Sequence, residues 1–186
     1  MRIIAGAYSG RILSTVRDTR VRPATDKVKG SIFNSLQNRL GLSNALVLDL
    51  FAGSGSLGFE AISRGARSVV FVEQDRDILK TIIANADTLE CSDQCEVIES
   101  DVVEFIERAR GQYDLIFADP PYAYERTEHL PTMIIRKGLL KKEGFLIIEH
   151  SRKTIFEKSQ EFYRAVNKTF GNTQISWFAC GREEKK

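Results

Sequence analysis

The sequence predicts an α/β fold, a largely parallel sheet with helices on both faces, and three observations carry that prediction. Apolar runs of strand length recur at residues 45–50, 68–72, 96–99, 113–118 and 145–149, separated by stretches of helical spacing, the alternation that builds a parallel sheet. The first run breaks at glycines and passes into Gly58-Phe59-Glu60-Ala61-Ile62, as a buried strand turning sharply into a helix does. The tail instead ends in two apolar runs, 162–170 and 173–180, flanking Gly171-Asn172, which reads as an antiparallel closing hairpin. At 186 residues the length suits one domain that buries a core without disulfide or metal staples.

Taken in order, residues 2–5 and 11–14 are short β-like stretches around Gly6-Ala7-Tyr8-Ser9-Gly10, predicting a small hairpin with an aromatic in its turn. Residues 16–22 are polar. Thr25 or Asp26 can cap a helix whose apolar face is Val28, Ile32, Phe33 and Leu36, ending near Gly41 and leaving Lys27 and Lys29 on the outer face. The first core strand leads to a helix over 57–64, and the second strand ends in Glu73. Asp75 opens a helix with Ile78, Ile82, Ile83 and Ala86 inward, and the third strand runs into Ser100-Asp101-Val102, where Asp101 can cap a helix over 102–110. The fourth strand ends at Asp119. A helix near 128–137, a turn at 139–144, the fifth strand and a helix around 154–158 precede the hairpin, and 181–186 should fray.

The net charge of +2 hides an asymmetry: residues 1–42 hold eight Lys/Arg against two acids, while 43–186 hold nineteen against twenty-three. This divides the chain into a basic N-terminal extension (1–42) and a core (43–186). It suits a polyanionic partner met through the extension, although a merely solvated charged arm has the same composition. No apolar run approaches the ~18 residues of a spanning helix, and no targeting signal is visible, so a cytoplasmic protein is expected; a monomer is also expected. Cys91, Cys95 and Cys180 make an odd count that fits reduced thiols, and without histidines nearby Cys91 and Cys95 predict no metal site.

Two motifs carry chemistry. In Asp49-Leu50-Phe51-Ala52-Gly53-Ser54-Gly55-Ser56-Leu57-Gly58 the glycines let the backbone turn tightly and approach a ligand at the positive end of the following helix. That suits a phosphate or ribose; the spacing alone fits a nicotinamide dinucleotide or a structural turn as well. Glu73, twenty positions beyond Gly53, is spaced to bond ribose hydroxyls. The second motif, Asp119-Pro120-Pro121-Tyr122, sets a carboxylate beside two ring-locked residues without N–H groups and an aromatic. It predicts a rigid acceptor-only pocket for a planar base bearing an exocyclic amine, held by Asp119 and the Pro120 carbonyl and stacked on Tyr122.

At these residues the chain resembles the S-adenosylmethionine-dependent methyltransferases of exocyclic base amines, and more closely the bacterial 16S ribosomal RNA guanine-N2 methyltransferase family. That family carries an Arg-Pro-Thr-x-Asp-Arg-Val-Arg-like stretch, matched by Arg22-Pro23-Ala24-Thr25-Asp26-Lys27-Val28-Lys29, with Ala24 and Gly30 as departures. The resemblance runs over essentially the whole chain. It implies a Rossmann-like class I methyltransferase sheet of order 3-2-1-4-5-7-6 with an antiparallel last strand. It implies S-adenosyl-L-methionine held by Asp49, Phe51, Ala52, Gly53, Gly55, Glu73, Asp101 and Val102, with Asp101 taking the adenine amine. It implies catalysis at Asp119, Pro120, Pro121 and Tyr122, and contact with ribosomal RNA or an assembling small subunit through Arg2, Tyr8, Arg11, Arg22, Thr25, Lys27 and Lys29. Two other readings stay open: an adenine-N6 methyltransferase acting on DNA or RNA, and a non-catalytic nucleotide- and RNA-binding module.

Overall fold

The computed structural model describes residues 1–15, 26–37 and 39–181. Arg22, Thr25, the polar stretch 16–22 and the tail 182–186 lie outside them. A seven-stranded sheet of order β3-β2-β1-β4-β5-β7-β6 forms the middle layer. Its strands are β1 (Leu46–Leu50), β2 (Ser68–Glu73), β3 (Cys95–Glu99), β4 (Tyr113–Ala118), β5 (Leu140–Ser151), β6 (Phe162–Phe170) and β7 (Thr173–Cys180). The first five run parallel, and β7 is antiparallel to both β5 and β6. The helices are α1 (Asp26–Gln37), α2 (Ser56–Ser63), α3 (Arg76–Thr88), α4 (Val102–Arg108) and α5 (Leu130–Arg136).

The central strands are mostly apolar because both faces are covered, and the two-residue period sorts their side chains between two cores. Val47, Phe117 and Ile147 meet Phe33 and Leu36 of α1, Phe59 of α2 and Ile82 of α3. Leu48, Leu50, Ile116 and Ile148 meet Val102 and Ile106 of α4 and Leu130 and Ile134 of α5. Register is strict: Leu50 stands opposite Val72 on one side and Ala118 on the other, and Ala118 stands opposite Ile148. The acids that follow or precede these residues therefore gather at one edge of the sheet.

Several expectations need correction. The N-terminal segment forms no strands; residues 2 and 12 make one isolated antiparallel bridge, extended by Ile3 N–H to the Arg11 carbonyl and Leu13 N–H to the Met1 carbonyl. Lys29 is not on an outer face. It is fully buried, its Nζ donating to the Arg2 carbonyl at 2.6 Å and lying 3.4 Å from the Glu60 carboxylate. Glu60, also fully buried, accepts from the N–H groups of Ile4 and Ala5 and from Arg64 Nε. This network pins the N-terminal segment along α2. Ile83 is 48% exposed, so the inner face of α3 is Ile78, Leu79, Ile82 and Ala86.

The turn expected at 139–144 is instead the beginning of the 12-residue β5. Gly144 is there because the strands come close: a Cβ on it would sit 2.8 Å from the Asp114 carbonyl. Residues 154–158 form no helix. Phe156 is drawn onto Phe178 and His150, with centroids 4.8 and 4.7 Å away, and the adjacent Glu157 bonds His129 and Thr132, so the stretch is tethered to two elements. His150, expected near the surface, is 2% exposed and bonded through both ring nitrogens to the Ser151 carbonyl and Ser176 hydroxyl. No helix among the described residues is long and apolar enough to cross a membrane.

Candidate active site

All five parallel strands end on one edge of the sheet, and there a cavity of about 360 Å³ opens where the chain order reverses between β1 and β4. The size is within the roughly 300 to 1,000 Å³ of small-molecule sites. Its walls include Asp49, Phe51, Ala52, Gly53, Glu73, Asp101, Val102, Asp119, Pro120, Pro121 and Tyr122, so one cavity unites eleven residues from the two sequence motifs and the strand ends. Gly55 stands behind the wall. With φ of 76° it makes the left-handed turn into α2, and a Cβ there would strike the Phe59 ring at 2.6 Å.

Gly53, with φ of 54°, donates its N–H to Glu73 Oε2 at 3.0 Å. The other oxygen of Glu73 accepts from Gln74 and Asp75 N–H groups at 2.9 and 3.1 Å. Glu73 thus ties the glycine loop to the end of β2, a structural duty additional to the ligand role expected of it. Asp101 caps α4, its Oδ1 accepting from Val103 and Glu104 at 2.8 and 3.2 Å, which leaves Oδ2 for the cavity.

Buried carboxyls meet at the centre of the site. Asp49, 2% exposed, accepts from Gly58 N–H at 2.9 Å; burial pushes its carboxyl up to about 8, the Gly58 bond opposing and Glu73 adding. Asp119 is only partly covered as a residue, yet its carboxyl is enclosed. Burial, then Glu149, then Asp49 hold it well above the ordinary carboxylate range. Tyr122 presents a ring that is 56% exposed at the rim, its hydroxyl bonded to that of Thr173.

Glu149, Tyr124 and Met1 are among the wall residues that sequence reasoning did not assign to the site. Glu149 follows the last residue of β5 that pairs with β4, Ile148, and lies inside the strand, which continues to Ser151. Tyr124 lies edge-on to Phe51 at 4.9 Å, and its hydroxyl is buried with no hydrogen-bond partner in the described structure. Burial and nearby Asp101 raise its pKa. Met1 also reaches the wall. An orphaned hydroxyl beside a free carboxylate oxygen, a backbone close enough to touch a ligand, and an apolar Phe51 face together fit a ribonucleoside-bearing cofactor.

The basic residues divide. Exposed Arg2 is 3.6 Å from Asp26, and Lys27 is exposed on the first turn of α1. The Gly6–Gly10 turn lies against Ser63 at the far end of α2, with Ala7 N–H on the Ser63 carbonyl and Tyr8 N–H on its hydroxyl. Tyr8 is half-buried near Cys91 and Cys95 at the opposite edge of the sheet from the cavity, and Arg11 follows it, exposed. Lys29 is enclosed, burial lowering its pKa against the opposing pull of Glu60.

Comparison with known proteins gives a family. The family described as Conserved hypothetical protein 95 matches residues 1–179. YlbH of Bacillus subtilis is 36% identical over 180 residues, covering 95% of this chain and 97% of its own. Ribosomal RNA small subunit methyltransferase D of Haemophilus influenzae is 38% identical over 152 residues, 80% of this chain and 78% of that one. The solved structure of yhhF from Escherichia coli has a TM-score of 0.85 at 28% identity, covering 98% of this chain and 99% of that one. With a methyltransferase-type sheet, a cavity at its switch point and this span of matching sequence, the chain belongs to the Conserved hypothetical protein 95 family.

Proposed function

We propose that the protein is an S-adenosylmethionine-dependent methyltransferase of small-subunit ribosomal RNA, acting on the exocyclic N2 of a guanine. The observation that carries the reading is the single cavity in which a glycine-loop half and an Asp-Pro-Pro-Tyr half face each other. Its relatives include a protein named for small-subunit rRNA methylation. When bound, S-adenosylmethionine supplies an electrophilic methyl group, so the protein's main contribution is alignment.

Glu73, Asp101 and the loop 51–53 hold the cofactor half. Asp119 and the Pro120 carbonyl hold the hydrogens of the amine, turning its lone pair out of conjugation and towards the donor. Pro121 is otherwise engaged, its carbonyl accepting from Tyr124 N–H at 2.8 Å. Tyr122 covers the base. Asp119, with its raised proton affinity, is suited to take the proton that the nitrogen gives up after transfer. A paired base cannot reach Asp119, so the target is unpaired or flipped out. The basic extension (1–42) meets the RNA, with Arg2 and Lys27 on the cavity side.

The test is transfer of labelled methyl to small-subunit rRNA, to the assembled subunit and to DNA, followed by mass spectrometry of the nucleosides. N2-methylguanosine in RNA alone is expected. N6-methyladenine would favour the adenine reading, and cofactor binding without any product would leave a binding module.

A further inference from the structure

Building on that reading, we propose that Glu149 determines base specificity: its carboxylate receives the N1–H of the target guanine while Asp119 receives an N2–H. The register supplies the geometry. Ala118, the last residue of β4, stands opposite Ile148 of β5, so the same register carried one residue on puts Asp119, which follows β4, beside Glu149 at the sheet edge. Both line the cavity, and of the charged groups that raise the proton affinity of Asp119, Glu149 acts more strongly than Asp49. Gly53, Glu73 and Asp101 lie across β1, β2 and β3, the other half of the sheet, so Glu149 belongs to the acceptor half.

Two adjacent acceptors match one base. Guanine offers N1–H and N2–H donors next to each other along its Watson–Crick edge. Adenine places a lone pair at N1 beside its amine, which a carboxylate at Glu149 would repel. The pair therefore does more than hold an amine: it selects the purine whose neighbouring ring nitrogen carries a hydrogen.

The experiment uses a synthetic RNA fragment around the guanine that the enzyme labels, made with guanine or with 2,6-diaminopurine at that position. Both bases carry the 2-amine, but diaminopurine has a lone pair at N1. The native enzyme should lose roughly tenfold or more in kcat/KM on diaminopurine. Glu149→Gln should lose activity on guanine and recover relative activity on diaminopurine, because a carboxamide N–H can meet the N1 lone pair, while cofactor affinity by titration calorimetry stays within about twofold. Equal use of both bases by the native enzyme overturns the proposal, and so does a proportional drop on both bases in Glu149→Gln. The native comparison stands even if the variant fails to fold. Labelling of adenine instead of guanine would sink the proposed function itself, whereas guanine labelling without N1 discrimination sinks only this inference.

Discussion

Asp49 and Asp119 show how burial converts ordinary carboxylates into groups with distinct tasks. Asp49, with its carboxyl at about 8 in the fold and near 4 when unfolded, holds a proton in the folded state that the unfolded chain has lost over this window. Raising the pH from 4 to 8 therefore costs stability through this group. Asp49→Asn keeps an acceptor for Gly58 N–H but cannot ionise, so its urea midpoint should gain on the parent's between pH 5 and pH 8; parallel curves would remove Asp49 from the account. For Asp119 the expectation is kinetic. Its ionised form accepts the amine hydrogens, so kcat/KM should rise with pH along an acid limb well above the ordinary carboxylate range. Asp119→Ala should abolish transfer while cofactor affinity stays within about tenfold, and equal losses in both would contradict an acceptor-side role. Both motif acids were legible because glycines and prolines punctuate the sequence around them. Glu149 was not, since an acid within Ile147-Ile148-Glu149-His150 has no such punctuation and acquires its meaning from the register with β4.

At the scale of elements, the buried Lys29–Glu60 pair joins α1, α2 and the N-terminal segment. Truncating one partner of a buried pair leaves the other without compensation, at a typical cost of roughly 3 to 5 kcal/mol. Arg64 still bonds Glu60, so Lys29→Met should fall at or below the lower figure, about 3 kcal/mol by urea denaturation without RNA. An unchanged midpoint would show that Lys29 is not structural. Gly58 has a different constraint: a Cβ would sit 2.2 Å from the Phe71 ring, and such overpacking typically costs about 1 to 3 kcal/mol, so Gly58→Ala should lower the midpoint accordingly. The five parallel strands and the closing hairpin were foreseen because apolar runs bounded by glycine and charge are read locally, whereas the strand order came from the family resemblance. What failed was tertiary. Lys29 looked like surface charge until Glu60 was brought to it from the next helix, Gly144 looked like a turn until β4 was laid beside it, and 154–158 looked helical until Phe156 and Glu157 were tethered to α5 and β7.

For the whole molecule, the N-terminal charge and the cavity must be considered together. Lys29 is committed to the core, and the Gly6–Gly10 turn with Tyr8 lies at the edge opposite the cavity. Among the described cations of the extension, exposed Arg2 and Lys27 lie on the cavity side: Lys29 Nζ bridges the Arg2 carbonyl to Ser56, a wall residue, and Arg2 approaches Asp26 beside Lys27. If both neutralise phosphates next to the reacting base, Arg2→Gln with Lys27→Gln should weaken RNA binding and lower the log-log salt slope by about 0.7 to 0.9 per lost contact. Cofactor affinity should not move, and the fold should survive, since the exposed Arg2–Asp26 pair at 3.6 Å contributes little. Arg11→Gln should change the slope less, because Arg11 follows the turn directed away from the cavity. Filter binding to small-subunit rRNA across a salt series checks all three. A double variant with the parent's affinity and slope, or an Arg11 variant with the larger effect, would move the RNA from the α1 side of the cavity to another face.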